Sequence, residues 1–270
     1  MLFGQFPVLV RGGGDLGTGV VLRLHRAGFP VVVTELDRPL AVRRRAAVAT
    51  AVLDGETTVE GMHAVRHRDA ESARSCAASG TVAVLVHDGL PDVGAQIVID
   101  ARIAKRNLGT RISDAPFVVG LGPGFSAGVD CHAVVETARG PHLGRVIYRG
   151  AATPDTGVPD PVEGRASDRV LRAPGDGRVS WLVDIGAIVR AGQPIGSVVG
   201  HPASAPLSLT ASFDGVVRGL ISEATPVTAG LKIGDIDPRP DTSVDEVSDK
   251  ALAIGGGVLE AVLTWISAGS

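Results

Sequence analysis

Residues 9–19 have the sequence Leu-Val-Arg-Gly-Gly-Gly-Asp-Leu-Gly-Thr-Gly, and this stretch determines the expected fold. The apolar run 7–11 predicts a short buried strand before the glycines, and apolar residues at helical spacing over 15–27 predict an amphipathic helix after them. The pattern Gly-x-Gly-x-x-Gly is satisfied by Gly12, Gly14 and Gly17. A strand, a glycine loop and a helix in this order are typical of a unit that binds the pyrophosphate of a dinucleotide.

Each glycine of the first loop has a distinct expected role. Gly12 allows a tight turn, Gly14 lets a phosphate approach the backbone, and Gly17 lets the helix and the strand pack closely. Glu35 ends the next predicted strand, 31–35, within reach of a ribose hydroxyl. The candidate residues for binding NAD(P) or another nucleotide are Gly12, Gly13, Gly14, Asp15, Leu16, Gly17, Glu35, Asp37 and Arg43.

The same loop is also compatible with a tight turn that binds no ligand. Asp15 departs from the usual phosphate loop, because its carboxylate repels pyrophosphate unless it caps the helix. Arg11 offers a positive charge that could offset it. Arg43 begins a run of three arginines, which either clamps a phosphate or forms a solvated charged surface.

Strand and helix patterns alternate over 7–100, which predicts a parallel sheet with right-handed crossovers. A second glycine loop follows at 120–124, where Gly122 and Gly124 either bind a ligand or simply form a turn. The weak candidates for catalysis are Asp100, Lys105, Cys131 and His132. The first two follow a buried strand at the edge where open α/β sheets bind ligands. The last two face opposite sides of a strand, which argues against a nucleophile–base pair.

The C-terminal half contains an internal repeat. Residues 173–182 align without gaps with 211–220, at the constant offset of 38 that separates Gly177 from Gly215. The spacing resembles the half-repeat of biotinyl and lipoyl carrier domains, but no lysine lies between the halves, so a swinging-arm carrier is not expected.

We therefore predict an α/β fold, with a Rossmann-like parallel-sheet domain plus a small all-β barrel-sandwich (biotinyl/lipoyl-like) module. Residues 1–150 form the expected nucleotide-binding domain with a β extension. Residues 165–240 form the duplicated β module. Residues 244–268 form a helix that we expect to pack back on the first domain.

Composition argues against several classes of function. The formal net charge is −3 and only 3% of residues are aromatic, so nucleic-acid binding is not expected. Prolines interrupt the longest uncharged stretch, 191–213, so no membrane span is expected there. Cys76 and Cys131 have no metal-binding spacing, and no signal peptide is evident. We expect a cytoplasmic protein with no metal site, compatible with an oligomer.

Six segments resemble, in this order, one known family. They are 9–20, 34–44, 100–107, 119–125, 130–137 and 248–260, and together they resemble the YqeB-type accessory proteins of the selenium-dependent molybdenum hydroxylase system. That resemblance implies a role in maturing molybdenum hydroxylases of the xanthine dehydrogenase type. It implies the molybdenum cofactor as a ligand, and molybdenum hydroxylases or cofactor-handling proteins as partners. It carries over no catalytic residue.

Three functions compete at this point. The first is a maturation factor that binds a nucleotide or the molybdopterin cofactor through the N-terminal glycine loop. The second is an NAD(P)-dependent oxidoreductase of unknown substrate. The third is a non-catalytic scaffold that docks a partner enzyme through the β module. The sequence does not decide whether any reaction is catalysed.

Overall fold

The glycine loop joins the first strand to the first helix. In the computed structural model, which describes residues 1–155, 157, 162–165, 167–200 and 205–269, β1 (Val8–Arg11) is entirely buried. Helix α1 (Asp15–Ala27) has the predicted bounds and buries the side chains of its apolar face. It ends where Gly28 adopts a left-handed conformation, with φ of 93°.

The described chain divides into two compact units. The first unit comprises Met1–Asp37, Ala47–Thr156 and Val247–Ser270, and the second comprises Arg38–Ala46 and Gly157–Glu246. The second unit is therefore inserted into the sequence of the first. Each unit has its own buried apolar core.

A nine-stranded sheet forms the centre of the first unit, in the order β10-β9-β7-β6-β1-β2-β5-β4-β3. Helices α1, α2 (Ala51–Asp54) and α3 (Ala70–Ala78) connect its early strands. A further pair, β8 and β11, forms a separate two-stranded sheet. Besides β1, the strands are β2 (Val31–Glu35), β3 (Glu56–Val59), β4 (Met62–His67), β5 (Val82–Val86), β6 (Ile97–Asp100), β7 (Phe117–Leu121), β8 (Ser126–Ala127), β9 (Ala133–Val135), β10 (Val146–Ile147) and β11 (Gly150–Ala151).

This sheet corrects the predicted Rossmann-like parallel domain. The sheet is mixed, because β3 runs antiparallel to β4 at one edge and β10 runs antiparallel to β9 at the other. The connections from β5 to β6 and from β6 to β7 contain no α-helix, so the alternation of strands and crossover helices stops halfway through the sheet. The hairpin of β3 and β4 turns at Glu60 and Gly61, which both have positive φ.

The second unit corrects the predicted barrel-sandwich module. Its strands form two separate antiparallel sheets, β12-β18-β17-β14 and β13-β15-β16. The sequence repeat is visible in the strands, since β13 and β15 of the first half correspond to β17 and β18 of the second. The strands are β12 (Val170–Arg172), β13 (Arg178–Trp181), β14 (Ile188–Val189), β15 (Pro194–Val199), β16 (Leu207–Thr210), β17 (Gly215–Leu220) and β18 (Lys232–Asp237).

The C-terminal helix α4 (Asp249–Ser267) packs against α1 in the first unit. A Cβ atom on Gly255 would meet the carbonyl oxygen of Gly19, so the two helices touch through their backbones. By length and hydropathy alone, α4 is the one helix among the described residues that could cross a membrane. Its buried face belongs to the apolar core of the first unit, as in the core helix of a globular protein.

Candidate functional site

The first glycine loop lies at the carboxyl end of β1, next to the residue that follows β6. Gly12 has φ of 100°, and a Cβ atom there would lie 3.0 Å from the carbonyl oxygen of Ala101. A Cβ atom on Gly17 would overlap the carbonyl oxygen of Gly12. These two glycines are therefore required by the packing of the loop itself.

Gly14 differs from its neighbours because the space beside it is open. A Cβ atom on Gly14 would have no other atom within 4 Å, although its φ of −70° suits any residue. Gly14 caps α1 without a side-chain hydrogen bond. Within the described residues, the N–H groups of Gly14 and Leu16 donate to no acceptor. The helix therefore begins with N–H donors on half-buried residues and a positive dipole end, which favours an anion, while the acidic Asp15 lies in the same first turn.

Glu35 holds the loop from the end of β2. Its Oε1 atom accepts a hydrogen bond from the Gly13 N–H at 2.9 Å, and its Oε2 atom accepts one from the Leu36 N–H at 2.8 Å. Burial raises the pKa of this carboxyl, against the lowering effect of the two N–H donors. On the other side of the loop, the Gly13 carbonyl accepts from the Ala49 N–H at 3.0 Å.

Asp100 is the centre of a buried polar network at the end of β6. The residue is 1% exposed, and its carboxylate accepts hydrogen bonds from Arg102 and from the Thr110 hydroxyl at 2.6 Å. Arg11 donates to that hydroxyl at 2.7 Å. Burial opposes ionisation, but the hydrogen bonds from Arg102 and Thr110 and the charge of Arg102 hold the pKa of Asp100 below its ordinary value. Arg11 is therefore part of the hydrogen-bond network around Asp100.

The segment between Asp100 and Thr110 has a strained backbone. Ile103 and Lys105 have φ of 53° and 61°, which is unfavourable for residues other than glycine and especially for a β-branched one. Lys105 pairs with Asp155, at 3.1 Å between Nζ and Oδ1. The network of Asp100 fixes the segment at both ends, directly beside Gly12.

The second glycine loop has no comparable open space. A Cβ atom on Gly122 would overlap the Thr137 side chain, and one on Gly124 would lie 2.6 Å from the Cα atom of Arg106. Close packing against the neighbouring segments therefore explains both glycines. Nothing in the geometry of Gly122 or Gly124 points to a ligand.

Cys131 and His132 do not form a catalytic pair. Cys131 is fully buried, and burial raises the pKa of its thiol to about 11, so the reactive thiolate is not available near neutral pH. The Nδ1 atom of His132 accepts a hydrogen bond from the Val118 N–H at 2.9 Å, and burial lowers the pKa of this histidine. Both residues stabilise the sheet around β7 and β9.

Asp37 and Arg43 each pair with residues outside the first glycine loop. Asp37 is exposed, with its carboxylate 4.0 Å from a guanidinium nitrogen of Arg66. Arg43 belongs to the second unit, where it is buried and donates to the Glu246 carbonyl oxygen at 2.8 Å. The described residues contain no group of three or more His, Cys, Asp or Glu side chains arranged to hold a metal ion.

Glu136, which follows β9, is a buried carboxylate that was not among the site residues predicted from the sequence. It accepts hydrogen bonds from the N–H groups of Thr137, Ala138 and Thr153 and from the Thr153 hydroxyl. These bonds hold the pKa of Glu136 below its ordinary value although burial opposes ionisation. The role is structural, because all of its donors belong to adjacent backbone or to Thr153.

Comparison with known proteins identifies one close sequence relative. The chain is 45% identical, over 270 residues and 98% of its length, to the uncharacterized protein YqeB of Escherichia coli (strain K12). The chain resembles about half of YqeB. It spans 49% of the length of that relative. The identity supports the predicted YqeB-type sequence family, whereas the link to selenium-dependent molybdenum hydroxylases has no support in the comparison. No protein-family model matches the chain.

Similar solved structures carry other descriptions. They include a succinylglutamate desuccinylase/aspartoacylase of Rhodobacter sphaeroides, 18% identical, and the ectoine utilization protein EutE (DoeB) of Ruegeria pomeroyi, 14% identical. Each match covers 86% of this chain and 85% of the other, with a TM-score of 0.28. An aspartoacylase family protein of Mesorhizobium loti is 15% identical, with coverage of 86% and 84% and the same TM-score. Likeness at this level carries no argument for a hydrolase.

The comparisons give no support to the predicted function. The named solved structures include no molybdenum hydroxylase accessory protein and no NAD(P)-dependent oxidoreductase. The predicted maturation role and its alternatives, the oxidoreductase and the docking scaffold, therefore have no support in the comparisons.

Proposed function

We propose that this protein binds a small phosphate-containing ligand at the carboxyl ends of β1 and β6, with the phosphate at the start of α1. The observation that carries the proposal is the open space beside Gly14 at the start of α1. At this helix end, the N–H groups of Gly14 and Leu16 have no acceptor in the described part of the chain. Backbone donors and the helix dipole together favour a bound anion.

The strained segment after β6 supports the same place. Residues held in unfavourable backbone conformations cluster at binding sites, where the surrounding structure fixes them. Ile103 and Lys105 have positive φ, and the Cα atom of Arg102 would lie 3.1 Å from a Cβ atom on Gly12. Backbone strain therefore accompanies the open helix end at the same edge of the sheet.

Substitution of Gly14 tests the proposal. We expect Gly14→Val to fold normally, because its Cβ atom meets nothing and its φ is ordinary, but to occupy the space that a phosphate needs. Binding of inorganic phosphate and of AMP, measured by titration calorimetry, should weaken at least tenfold, which corresponds to about 1.4 kcal/mol. Gly256→Ala is the matched control, since it also fills open space but lies in α4. Unchanged affinity in Gly14→Val, or no binding to the unmodified protein, would overturn the proposal.

A nucleotide or the molybdenum cofactor as ligand, and a molybdenum hydroxylase or cofactor-handling protein as partner, are predictions that no described residue tests. One weakly apolar helix, α4, is compatible with a soluble protein, and a cytoplasmic location is part of the proposal.

A further inference from the structure

The nine-stranded sheet of the first unit ends in two different edge strands. At one edge, β3 carries exposed polar side chains at Glu56 and Thr58. At the other edge, β10 consists of the half-buried Val146 and Ile147, and no described strand lies along its outer side. An apolar edge strand with one unpaired side readily pairs with another chain unless something covers it. The β10 edge is therefore the side of this sheet that can accept a further strand.

The backbone groups of Val146 point away from the sheet. Val146 lies opposite Val135 of β9, and the N–H of Glu136, next to Val135, donates to the Arg145 carbonyl oxygen at 3.0 Å. In an antiparallel ladder, this pattern makes Val146 and Val135 a pair without mutual hydrogen bonds. The N–H and C=O groups of Val146 therefore face outward, where an added strand would bond to them.

A groove runs along this edge, between α4 and the segment 141–146 that leads into β10. Its volume is about 600 Å³. The two walls touch through their backbones, since a Cβ atom on Gly257 would meet the carbonyl oxygen of Gly144. Beside Gly256 the groove is open, because a Cβ atom there would meet nothing within 4 Å. The groove therefore leaves room for side chains that an added strand or helix brings.

The two walls of the groove carry opposite charges. Arg145 lies on the β10 side and Glu260 on the α4 side, and both residues are exposed. The Nε atom of Arg145 donates to the Pro141 carbonyl oxygen, and neither Arg145 nor Glu260 forms an ion pair within the described residues. Leu263, three residues after Glu260, adds an exposed apolar side chain to the same face of α4. A surface with one cation and one anion on opposite walls is complementary in charge to a copy of itself turned about a two-fold axis.

We propose that this surface binds a second copy of the chain, with β10 antiparallel to β10 of that copy about a two-fold axis perpendicular to the sheet. The axis places both α4 helices on the same face of the joined sheet. Arg145 of each copy then pairs with Glu260 of the other, and the outward groups of Val146 bond across the axis. A second copy is favoured over an unrelated partner because the groove supplies its own complementary charges. The dimer does not depend on the proposed phosphate site.

Charge reversal tests the dimer. Sedimentation equilibrium of the unmodified protein should show twice the mass of the chain. Arg145→Glu and Glu260→Arg each place like charges opposite one another, so we expect each to raise the dissociation constant of the dimer at least tenfold. Glu71→Arg, at an exposed position of α3, is the matched control and should leave the constant unchanged. A protein that is monomeric at every concentration measured, or reversals that behave like the control, would overturn the proposal.

Mixing the two variants shows whether the charged pairs form between copies. In a dimer of one Arg145→Glu chain and one Glu260→Arg chain, both pairs across the interface again have opposite charges. We therefore expect the mixture to dimerise with an affinity within threefold of the unmodified protein. A role of these residues inside one chain cannot produce this recovery. The two-fold arrangement is wrong if the mixture stays as weak as either variant alone.

Amide hydrogen exchange at Val146 tests the pairing of β10. Its N–H faces outward, so exchange should be fast in the monomer and at least tenfold slower in the dimer. We expect the fast rate to return in Glu260→Arg at the same protein concentration. Ile147, whose N–H faces β9 in the same ladder, is the internal control and should stay protected in both. Fast exchange at Val146 in a dimeric protein would overturn the pairing of β10.

Discussion

Asp237 is a single residue whose ionisation stabilises the second unit. Its side chain is fully buried in β18, and its carboxylate accepts from Arg239 at 2.8 and 2.9 Å, with guanidinium nitrogens of Arg218 and Arg169 at 3.5 and 3.6 Å. Burial opposes ionisation, but the hydrogen bonds and charges of the arginines lower the pKa of Asp237 from 3.8 to about 2. A carboxyl with a lowered pKa stabilises the folded state above its unfolded pKa, and that contribution is lost as the pH falls through its folded pKa.

We therefore expect Asp237→Asn to lower the free energy of unfolding by about 3 kcal/mol at neutral pH, because it removes a fully buried anion that pairs with Arg169, Arg218 and Arg239. The substitution should also reduce the loss of stability between the two pKa values of Asp237, 3.8 and about 2. Urea unfolding followed by circular dichroism across this range measures both effects. Asp241→Asn, at an exposed position, is the control. An acid dependence that is equal in the two variants would contradict the prediction.

At the same scale, the sequence predicted the local packing of the first glycine loop, whereas the role of the loop in binding stays a prediction. The tight turn at Gly12 and the close packing at Gly17 follow from the spacing of the first loop, and both contacts are present. The sequence could not distinguish this loop from the second one. In the sequence, Gly122 and Gly124 look as accessible as the glycines of the first loop. In the structure, the Thr137 side chain, which follows β9, fills the space beside Gly122. The backbone of Arg106, which precedes β7, fills the space beside Gly124. The hydrogen bond from the Gly13 N–H to Glu35 likewise depends on a tertiary contact.

Helix α4 contains three consecutive glycines whose substitution by alanine should have opposite effects. A Cβ atom on Gly255 would meet the Gly19 carbonyl, and one on Gly257 would meet the Gly144 carbonyl, whereas one on Gly256 would meet nothing within 4 Å. Alanine is favoured over glycine inside a helix by about 1 kcal/mol. We expect Gly256→Ala to raise the free energy of unfolding by about that amount, and Gly255→Ala and Gly257→Ala to lower it. Thermal and urea unfolding of the three variants provide the measurement, and a uniform sign would refute the packing of α4.

The elements that the sequence predicted well are those with a local signal. The helical spacing over 15–27 and the glycine after it were sufficient to predict α1, and the β-branched run 31–35 predicted β2 with its bounds. The hairpin of β3 and β4 was missed, since its outer strand is short and mostly polar. The one local feature that could have indicated this hairpin is Glu60 followed by Gly61. These two turn residues have positive φ in the structure, as a two-residue hairpin turn requires.

At the scale of the whole molecule, the fold class predicted from the sequence was wrong because the edge strands of the nine-stranded sheet run antiparallel to their neighbours. The early alternation of strands and helices is a local pattern, but the direction of an edge strand depends on which neighbour it pairs with. The pairing of β3 with β4 and of β10 with β9 makes the sheet mixed. In the second unit, the repeat was evident in the sequence, yet the repeat alone could not show that its strands form two separate antiparallel sheets.

The first unit contains both ends of the described chain, so its core depends on a helix that follows the whole second unit in sequence. Ile254, Val258 and Val262 of α4 are fully buried in that core. Burial of each such side chain contributes roughly 1.5–3 kcal/mol, so the three together approach the ~5–15 kcal/mol that separates a folded domain from its unfolded state. We expect a chain that ends at Glu246 to lose the cooperative unfolding of the first unit and to expose apolar surface, measured by scanning calorimetry and by binding of an apolar fluorescent dye. A chain that ends at Ser267 keeps α4 and should unfold like the full chain. An unchanged transition in the shorter chain would show that the core of the first unit does not require α4.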